Sequence, residues 1–303
     1  SRLHHRPAGV QRRPVDAVAE RRHKSATDFA RYMTDELSRR SFADNLNEPL
    51  HLEHARHALA RVQDPRARTA LTYRAAYALA LRTEYVEAEE WMRMFFADAT
   101  RFMLDFTLPY AKWVEALIHL GLRRFGRAER AIQFVEDVAT AQHNRNHLHN
   151  AKALRARLLL QSGQSEEALS LLRPDPPVSL IPSWRGEYLA TRALALACLG
   201  KTDQACADGA QATATSRALE VRILALCASA VTAARADEDC AFLVEASDRS
   251  SVWDPTLCAL RASPELAAKV ASAHHWHAAL EALYVRSQDR GLARRAGFRT
   301  RSH

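Results

Sequence analysis

The segment ALALACLGKTDQA, residues 193–205, decides the fold of this chain. It places Ala193 and Ala205 twelve residues apart, with the turn signal Gly200-Lys201 between them. Small residues at matched positions of two successive helices allow the helices to approach closely. The segment therefore predicts a tightly packed, antiparallel helical hairpin.

The same spacing of small residues recurs along the chain. Counted from the first pair to the one quoted above, the intervals are 40, 40 and 37 residues, and a weaker fifth copy lies 36 residues further on. The additional pairs are Ala76/Ala88, Ala116/Ala128, Ala156/Ala168 and Ser229/Ala241. The first three of them enclose the turn signals Thr83-Glu84, Phe125-Gly126 and Gly163-Gln164. Alanine is abundant enough for one pair to arise by chance, but four spaced copies with turns predict about five antiparallel hairpins.

The composition supports an all-α fold. Good helix formers dominate, there are only 9 Gly and 11 Pro in 303 residues, and no run of alternating β-branched residues is long enough for a sheet. We expect a disordered basic tail at 1–24, N-terminal helices at 25–65, helical repeats at 66–250, and capping helices with a basic linker at 251–303.

Within the repeats the pattern predicts five helix pairs. They are 66–82 with 85–100, 109–123 with 127–142, 147–162 with 165–173, 184–199 with 202–216, and 218–235 with 238–247. In the C-terminal part, Asp254-Pro255 and Ser263-Pro264 each place a capping side chain before a proline, which predicts two helix starts. We expect the last helix to run from 264 to about 287.

The positive charge is concentrated at the two ends. Residues 1–24 and 286–303 each carry a net +5, which leaves −2 for the part between them and accounts for the total of +8. A nearly neutral middle argues against a nucleic-acid surface on the repeats themselves.

The chain lacks the signs of export or membrane insertion. The N-terminus has no apolar signal region, and the longest apolar stretch, 223–234, is too short to span a bilayer. The five cysteines form no C-x-x-C pair and are interpreted as reduced, small apolar residues of a cytoplasmic protein. Because the chain begins at Ser1, we expect a piece of something longer.

No motif indicates catalysis or a metal. Gly200-Lys201-Thr202 resembles the end of a phosphate loop, but Ala195 stands where that loop needs glycine and a helix precedes it instead of a strand. The histidines cluster without a structural zinc spacing, and a solvated or packed face is the better interpretation. They are His51, His54 and His57, then His143, His147 and His149, then His274, His275 and His277. We therefore expect no enzyme, no metal and no cofactor in this chain.

The concave face of the array is the expected binding surface. In stacked hairpins the first helix of each pair lines this groove. Counting back from each turn gives eight candidate groove residues, namely Tyr73, Tyr77, Tyr110, Trp113, Asn150, Arg157, Glu187 and Thr191. Aromatic rings with a few polar groups suit a peptide or a small ligand, although such rings also serve simply to pack on the next helix.

The hairpin pattern resembles the tetratricopeptide repeat over about 66–248. That repeat has a small residue late in its first helix, a glycine at the turn, and an alanine five residues later; Gly163 with Ala168 and Gly200 with Ala205 match it. The spacing of 36–40 residues is longer than the family's 34, and its first-helix Trp and closing Pro are mostly missing. The resemblance implies a superhelical array.

The C-terminal third resembles the stretch before the helix-turn-helix of large LuxR-type bacterial regulators, which are similar to the ATP-dependent activator of the maltose regulon. The resemblance rests on DPTLCALRASPEL at 254–266, LYVRSQD at 283–289 and LARRAG at 292–297. It implies the signal-sensing region of such a regulator. ATP would enter only through an upstream domain that is missing here, and DNA only through an absent helix-turn-helix.

Three functional hypotheses follow. The first is the sensing region of a LuxR-type regulator, which binds an inducer, a partner protein or a second copy of itself. The second is a stand-alone tetratricopeptide-like adaptor for a peptide or protein. The third is direct nucleic-acid binding through the basic ends, which predicts a steep weakening with salt. None of them involves a membrane.

Overall fold

The computed structural model describes residues 25–43, 46, 50–295 and 297, and these residues form helices, turns and loops with no strand. The predicted all-α class is confirmed. The expected tail at 1–24 lies outside the described residues. The α-helices are α1 Ala26–Ala43, α2 Leu50–Arg61, α3 Pro65–Leu81, α4 Tyr85–Arg101, α5 Leu108–Gly121, α6 Phe125–Ala141, α7 Arg145–Gln161, α8 Ser165–Leu171, α9 Pro182–Cys198, α10 Thr202–Thr215, α11 Leu219–Arg235, α12 Ala241–Ser250, α13 Asp254–Ala262, α14 Pro264–Ser272, α15 His277–Arg286 and α16 Arg290–Arg295.

Helices α3 to α12 form five consecutive hairpins, as predicted. The pairs α3–α4, α5–α6, α7–α8, α9–α10 and α11–α12 each pack together, and every first helix also packs on the first helix of the next pair. Helices α3, α5, α7, α9 and α11 therefore lie side by side. We call these five the inner helices.

The turns repeat with a regular backbone conformation. A residue with positive φ occurs every 20 positions through the first half of the array, at Thr83, Met103, Arg123, His143 and Gly163. The following amide donates to a carbonyl five residues back; Arg124 N, for example, lies 2.8 Å from His119 O. This pattern satisfies the free carbonyls at a helix end. The turn expected at Phe125-Gly126 is wrong by two residues, because Arg123 takes the left-handed position and α6 begins at Phe125.

The alanine pairs are buried in the first four hairpins. Ala193 has no exposed surface and Ala205 is 2% exposed, and the six alanines of the earlier pairs are also completely buried. The fifth copy differs, because Ser229 is exposed and Ala241 is only half-buried. The small-residue pattern therefore marks buried positions in four hairpins, and the fifth hairpin packs by other residues.

Replacing Ala193 with Leu should destabilise the fourth hairpin. The added methylenes have no space in a fully buried contact, and such overpacking costs about 1–3 kcal/mol. Ala214→Leu on the exposed side of α10 is the matched control and should change stability by less than about 0.5 kcal/mol. Chemical denaturation of both variants measures the difference, and equal values would contradict the hairpin register.

The two ends of the array meet, so the inner helices enclose an interior. Tyr77 on α3 donates to Glu220 on α11 across 2.5 Å, and α1 packs against both α3 and α11. At the end where the hairpins turn, α13 packs on α3, α5, α7 and α11. The Trp253 amide just before α13 donates to Leu81 O at 2.8 Å. The predicted open concave face is thus closed at one end, and access remains at the end where the inner helices begin.

Two predictions for the C-terminal helices need correction. The long helix expected over 264–287 is divided, because a short 3₁₀ segment, His274–Trp276, separates α14 from α15. Ser263 caps α14 as predicted, with Leu266 N donating to its Oγ at 3.2 Å. Asp254 does not cap α13, since its carboxylate is directed into the protein interior, where it binds Tyr85 and Arg157.

The cysteines are only partly the buried residues that the sequence predicts. All five are free thiols; Cys227, Cys240 and Cys258 are buried, whereas Cys198 is half-buried and Cys206 is exposed. Burial raises the pKa of the Cys227 thiol well above its usual value. The buried thiols therefore act as small apolar residues, and Cys206 does not.

Candidate ligand site in the central cleft

Four inner helices border a small cavity, which we call the central cleft. Its volume is about 50 Å³. Each of these helices contributes at least one aromatic or ionisable side chain. Helix α11 and the residue before it also supply small apolar ones. The lining residues are Tyr73, Arg74 and Tyr77 of α3, Trp113 of α5, Ser183, Trp184 and Glu187 of α9, and Glu220 and Val221 of α11 with Ala218 before it.

Aromatic rings surround the mouth of the cleft. Tyr110 lies with its ring centroid 6.3 Å from Tyr73, 4.5 Å from His147 and 6.3 Å from Trp184. The His147 and Trp184 centroids are 5.1 Å apart. Burial lowers the pKa of His147, which favours its neutral ring. The mouth is therefore an aromatic surface formed by four of the inner helices, α3, α5, α7 and α9.

A buried charge cluster forms the base of the cleft. Arg157 on α7 is 1% exposed and faces three carboxylates. Its Nη1 donates to Glu220 Oε1 at 2.6 Å, and its Nη2 donates to Asp254 Oδ2. Nη1 also lies 3.6 Å from Glu187 Oε1, which is close enough for attraction but too far for a hydrogen bond. One guanidinium thus donates hydrogen bonds to two carboxylates and attracts the third only electrostatically.

Two tyrosines complete the hydrogen bonds of the paired carboxylates. Tyr77 donates to Glu220 Oε2 at 2.5 Å, and Tyr85 donates to Asp254 Oδ1 at 2.6 Å. Burial, followed by the adjacent carboxylate, raises the pKa of both phenols well above the ordinary value. Gly121 makes room for Tyr85, because a Cβ at this glycine would lie only 2.1 Å from the tyrosine ring.

The cluster contains more acid than base. Burial opposes the charged form of Arg157, but Asp254 and Glu220 outweigh burial and raise its pKa well above the usual value. Burial, with Glu220 next in importance, raises the pKa of Glu187 well above its ordinary 4.5. Burial also raises the pKa of Asp254, against the opposing effect of Arg157. Glu187 is thus the carboxylate that most favours a bound proton.

Glu187→Gln should make the empty protein more stable at neutral pH. The amide replaces a buried carboxyl that resists ionisation, and removing such a group stabilises by roughly 1–3 kcal/mol. Thermal unfolding should show an increase of roughly 2–4 °C for each kcal/mol. Glu166→Gln, at an exposed position of α8, is the matched control and should leave the melting temperature unchanged.

The pH dependence of this effect has a definite sign. Because the folded state holds the Glu187 proton more tightly, the associated stability is complete below about pH 4.5 and is lost as the pH rises towards the raised pKa. Arg157, Glu220 and Asp254 are the charged groups that face Glu187, and they are common to both proteins. The advantage of Glu187→Gln should therefore disappear near pH 4.5; a constant advantage at every pH would contradict this account.

Four buried polar atoms of the cleft, its base and the adjoining part of α7 have no hydrogen-bond partner within the described part of the chain. They are Trp113 Nε1 and Glu187 Oε1 of the lining, Arg157 Nε of the base, and Asn150 Oδ1, which lies on α7 outside the lining. Their side chains belong to residues that are only 1–6% exposed. Unsatisfied buried polar groups are uncommon and costly, so they require an explanation. Two of these atoms, one donor and one acceptor, belong to residues that line the cleft, where a polar ligand can bind.

The structure brings most of the predicted groove residues together. Tyr73, Tyr77, Trp113 and Glu187 line the cleft, and Arg157 lies behind them. Tyr110 is 42% exposed at the mouth. Asn150 and Thr191 are buried outside the lining, and the Thr191 hydroxyl donates to Glu187 O of its own helix at 2.8 Å. Thr191 thus faces the protein core and not the cleft.

Sequence reasoning missed several members of the site. Glu220 is an isolated acid at the start of the apolar helix α11, and that isolation was an available signal of a buried ion pair. Trp184 stands two residues after a helix-starting proline, and His147 was considered only as part of a histidine cluster. Asp254 was interpreted as a cap, because an Asp-Pro pair ordinarily begins a helix.

A larger cavity lies elsewhere, between α4, α5 and α6. Its volume is about 500 Å³. Of the charges in its lining, Lys112 Nζ lies 2.7 Å from Glu115 and Glu89 lies 2.8 Å from Arg124 Nη1, whereas Arg127 and Arg130 form no ion pair in the described part of the chain. Lys112 also lies over the Phe96 ring, 4.7 Å from its centroid. The larger cavity also contains a buried unsatisfied atom, His119 Nδ1, so the central cleft is preferred for its aromatic lining and for the buried charge cluster beside it.

By its fold and its candidate site, the protein is thus an array of helical hairpins around an aromatic and acidic cleft. Comparison with protein-family models, with curated proteins and with solved structures gives no match. In the part of the chain that the structure describes, no group of His, Cys, Asp or Glu is arranged to hold a metal ion. None of the described helices has the length and apolarity needed to cross a membrane.

Proposed function

We propose that this chain is the signal-sensing, helical-repeat region of a LuxR-type transcriptional regulator, and that its ligand binds in the central cleft. The observation that carries the ligand site is that two residues of its lining, Trp113 and Glu187, each have a buried polar atom without a hydrogen-bond partner in the described part of the chain. The tetratricopeptide-like superhelix, a cytoplasmic location and the role in transcription belong to this proposal. Their support is the succession of hairpins and the resemblance of 254–297.

The cleft offers a simple way to couple binding to a change of state. It is bordered by α3 and α11, which belong to the first and last hairpins, and the contact between Tyr77 and Glu220 joins them. A ligand that prefers the closed arrangement shifts the equilibrium towards it by its difference in affinity. The signal would then pass to neighbouring parts of the regulator through α13 and the helices after it.

Ligand binding is tested by thermal unfolding with four small probes of different chemistry. They are succinate, glucose, indole and n-pentylamine, which are anionic, neutral and polar, aromatic, and cationic. We expect at least one to raise the melting temperature of the wild-type protein and to act less on Trp113→Phe, which loses the indole donor. Equal responses of the two proteins to every probe would count against the cleft as the sensing site.

The transcriptional role is tested independently by reading the DNA on both sides of the coding segment. We expect an in-frame helix-turn-helix downstream of residue 303. A reading frame that ends there, without such a domain, would refute the regulator and leave the ligand site unaffected.

A second candidate function is an adaptor for a peptide or protein partner. Its support is a set of exposed apolar side chains on the connectors that lead into the inner helices: Phe106 is 62% exposed, Val178 84% and Ile181 43%. An adaptor would bind through these side chains. Peptides selected on the wild-type protein should then lose binding to Phe106→Asp and Ile181→Asp; peptides that bind both variants unchanged would exclude this surface.

A further inference from the structure

We infer that the ligand of the central cleft is a slender primary amine, whose ammonium group binds Glu187 between the aromatic rings of the mouth. This inference rests on the proposed ligand site and adds the chemical class of its ligand. The argument has three parts: the charge balance, the unpartnered carboxylate oxygen, and the size of the cavity.

The charge balance favours one positive charge. Around the cleft and its base, the acids are Glu187, Glu220 and Asp254, and the bases are Arg157 and Arg74. Full ionisation leaves a net charge of −1. Arg74 also lines the cleft, but it forms no ion pair with Glu187, and its guanidinium carbon lies over the Tyr73 ring at 5.2 Å from the centroid. A bound monocation would complete the balance.

Glu187 is the acceptor for that cation. Both oxygens of Glu220 and both of Asp254 already accept hydrogen bonds from Arg157 and a tyrosine. Glu187 Oε1, by contrast, is buried without a hydrogen-bond donor in the described part of the chain. An ammonium group supplies three donors and one positive charge. Glu187 lines the cleft, so a charge-assisted hydrogen bond from the ammonium group to its carboxylate would replace the proton that Glu187 otherwise holds.

The aromatic rings and the small volume define the shape of the ligand. Tyrosine and tryptophan faces attract cations, and Tyr73, Tyr77, Trp113 and Trp184 all line the cleft. The volume of about 50 Å³ is a third of the roughly 150 Å³ cavity that holds benzene. The cavity therefore has room for an ammonium head only, with an unbranched stem extending through the mouth, and it excludes a quaternary ammonium. A free alkylamine and a lysine side chain of a peptide share this chemistry.

The inference is tested by isothermal titration of the full chain with matched probes. They are n-pentylamine, its neutral analogue pentan-1-ol, its anionic analogue pentanoate, and tetramethylammonium. We expect n-pentylamine to bind at least about tenfold more tightly than each of the others. Glu187→Gln should weaken that binding at least about tenfold, whereas Glu166→Gln should not. Since Glu187→Gln is expected to be more stable than wild type, loss of binding cannot be attributed to unfolding.

A further arm separates the two sources of the amine. Binding of n-pentylamine but not of a blocked pentapeptide with a central lysine identifies a free amine, and the reverse identifies a lysine side chain; either supports the inference. Equal binding of the amine and the alcohol, or an unchanged affinity in Glu187→Gln, would overturn it. If succinate, glucose or indole binds in the cleft and the amine does not, the sensing role stands and only the ligand class fails.

Discussion

Arg157→Met should lower the stability of the protein more than any other single substitution in the interior. The change leaves Glu187, Glu220 and Asp254 buried together without the guanidinium that all three contact. Breaking a buried ion pair by removing one partner costs about 3–5 kcal/mol. A typical domain has about 5–15 kcal/mol in total. We therefore expect a decrease of roughly 10 °C in the melting temperature, measured by circular dichroism.

The control for this variant lies on a neighbouring helix. Arg222 is exposed on α11, so Arg222→Met should change stability by less than about 0.5 kcal/mol. Adding Glu220→Gln and Asp254→Asn to Arg157→Met should restore part of the loss, because it removes two of the unpaired charges. If Arg157→Met unfolds at the same temperature as Arg222→Met, the charge cluster does not hold the inner helices together.

Arg261→Met should release α13 from the inner helices. The guanidinium of Arg261 donates to Leu120 O at 3.0 Å, to Gly121 O at 2.8 Å and to Gln161 Oε1 at 2.8 Å. Its Nε donates to Asp289 Oδ2 at 2.7 Å. The side chain therefore joins α13 to the ends of α5 and α7 and to the segment before α16. Its loss should cost about 3–5 kcal/mol, since Asp289 remains buried without its main partner.

The effect of acid distinguishes this ion pair from simple packing. Burial alone would raise the pKa of Asp289, but Arg261 and the Leu292 amide outweigh it and lower the pKa below 3.8. In the wild type, this contribution is present above about pH 4 and is lost only in stronger acid. In Arg261→Met the carboxylate is penalised above that pH, so the deficit should shrink as the pH falls. Urea denaturation at several pH values measures it.

Two comparisons make the second prediction specific. Arg294→Met, at an exposed position of α16, should be neutral. Adding Asp289→Asn to Arg261→Met should recover stability at neutral pH. A deficit that does not depend on pH and is not reduced by Asp289→Asn would mean that Arg261 contributes through its packing and not through its charge.

Much of the local structure could be predicted from the sequence. The alanine spacing located the hairpins, because it depends on contacts between helices that are adjacent in the chain. The eight alanines of the first four pairs, from Ala76 to Ala205, are buried as the pattern requires. The error at Phe125-Gly126 has a physical reason: a glycine was assumed to mark the turn, whereas Arg123 takes the left-handed conformation in a turn whose hydrogen bonds compensate for it.

Only part of the candidate site could be predicted from the sequence, namely the residues on the inner faces of the helices. Helical periodicity placed Tyr73, Tyr77, Trp113 and Glu187 on the inner face, and they line the cleft. The partners of Arg157 were not accessible to such reasoning, since Glu220 and Asp254 lie 63 and 97 residues away in the chain. Whether such distant groups meet depends on the small rotation between successive hairpins, summed over the whole array.

The sequence by itself thus determined an all-helical chain of helical hairpins and the inner faces of their first helices. These properties follow from the 3.6-residue periodicity, from small side chains and from breakers, which act over one or two helices. Only the tertiary structure decided that the first and last hairpins meet, that α13 closes one end, and that three acids converge on one arginine. Long-range closure sums many small packing angles, and no local pattern encodes that sum.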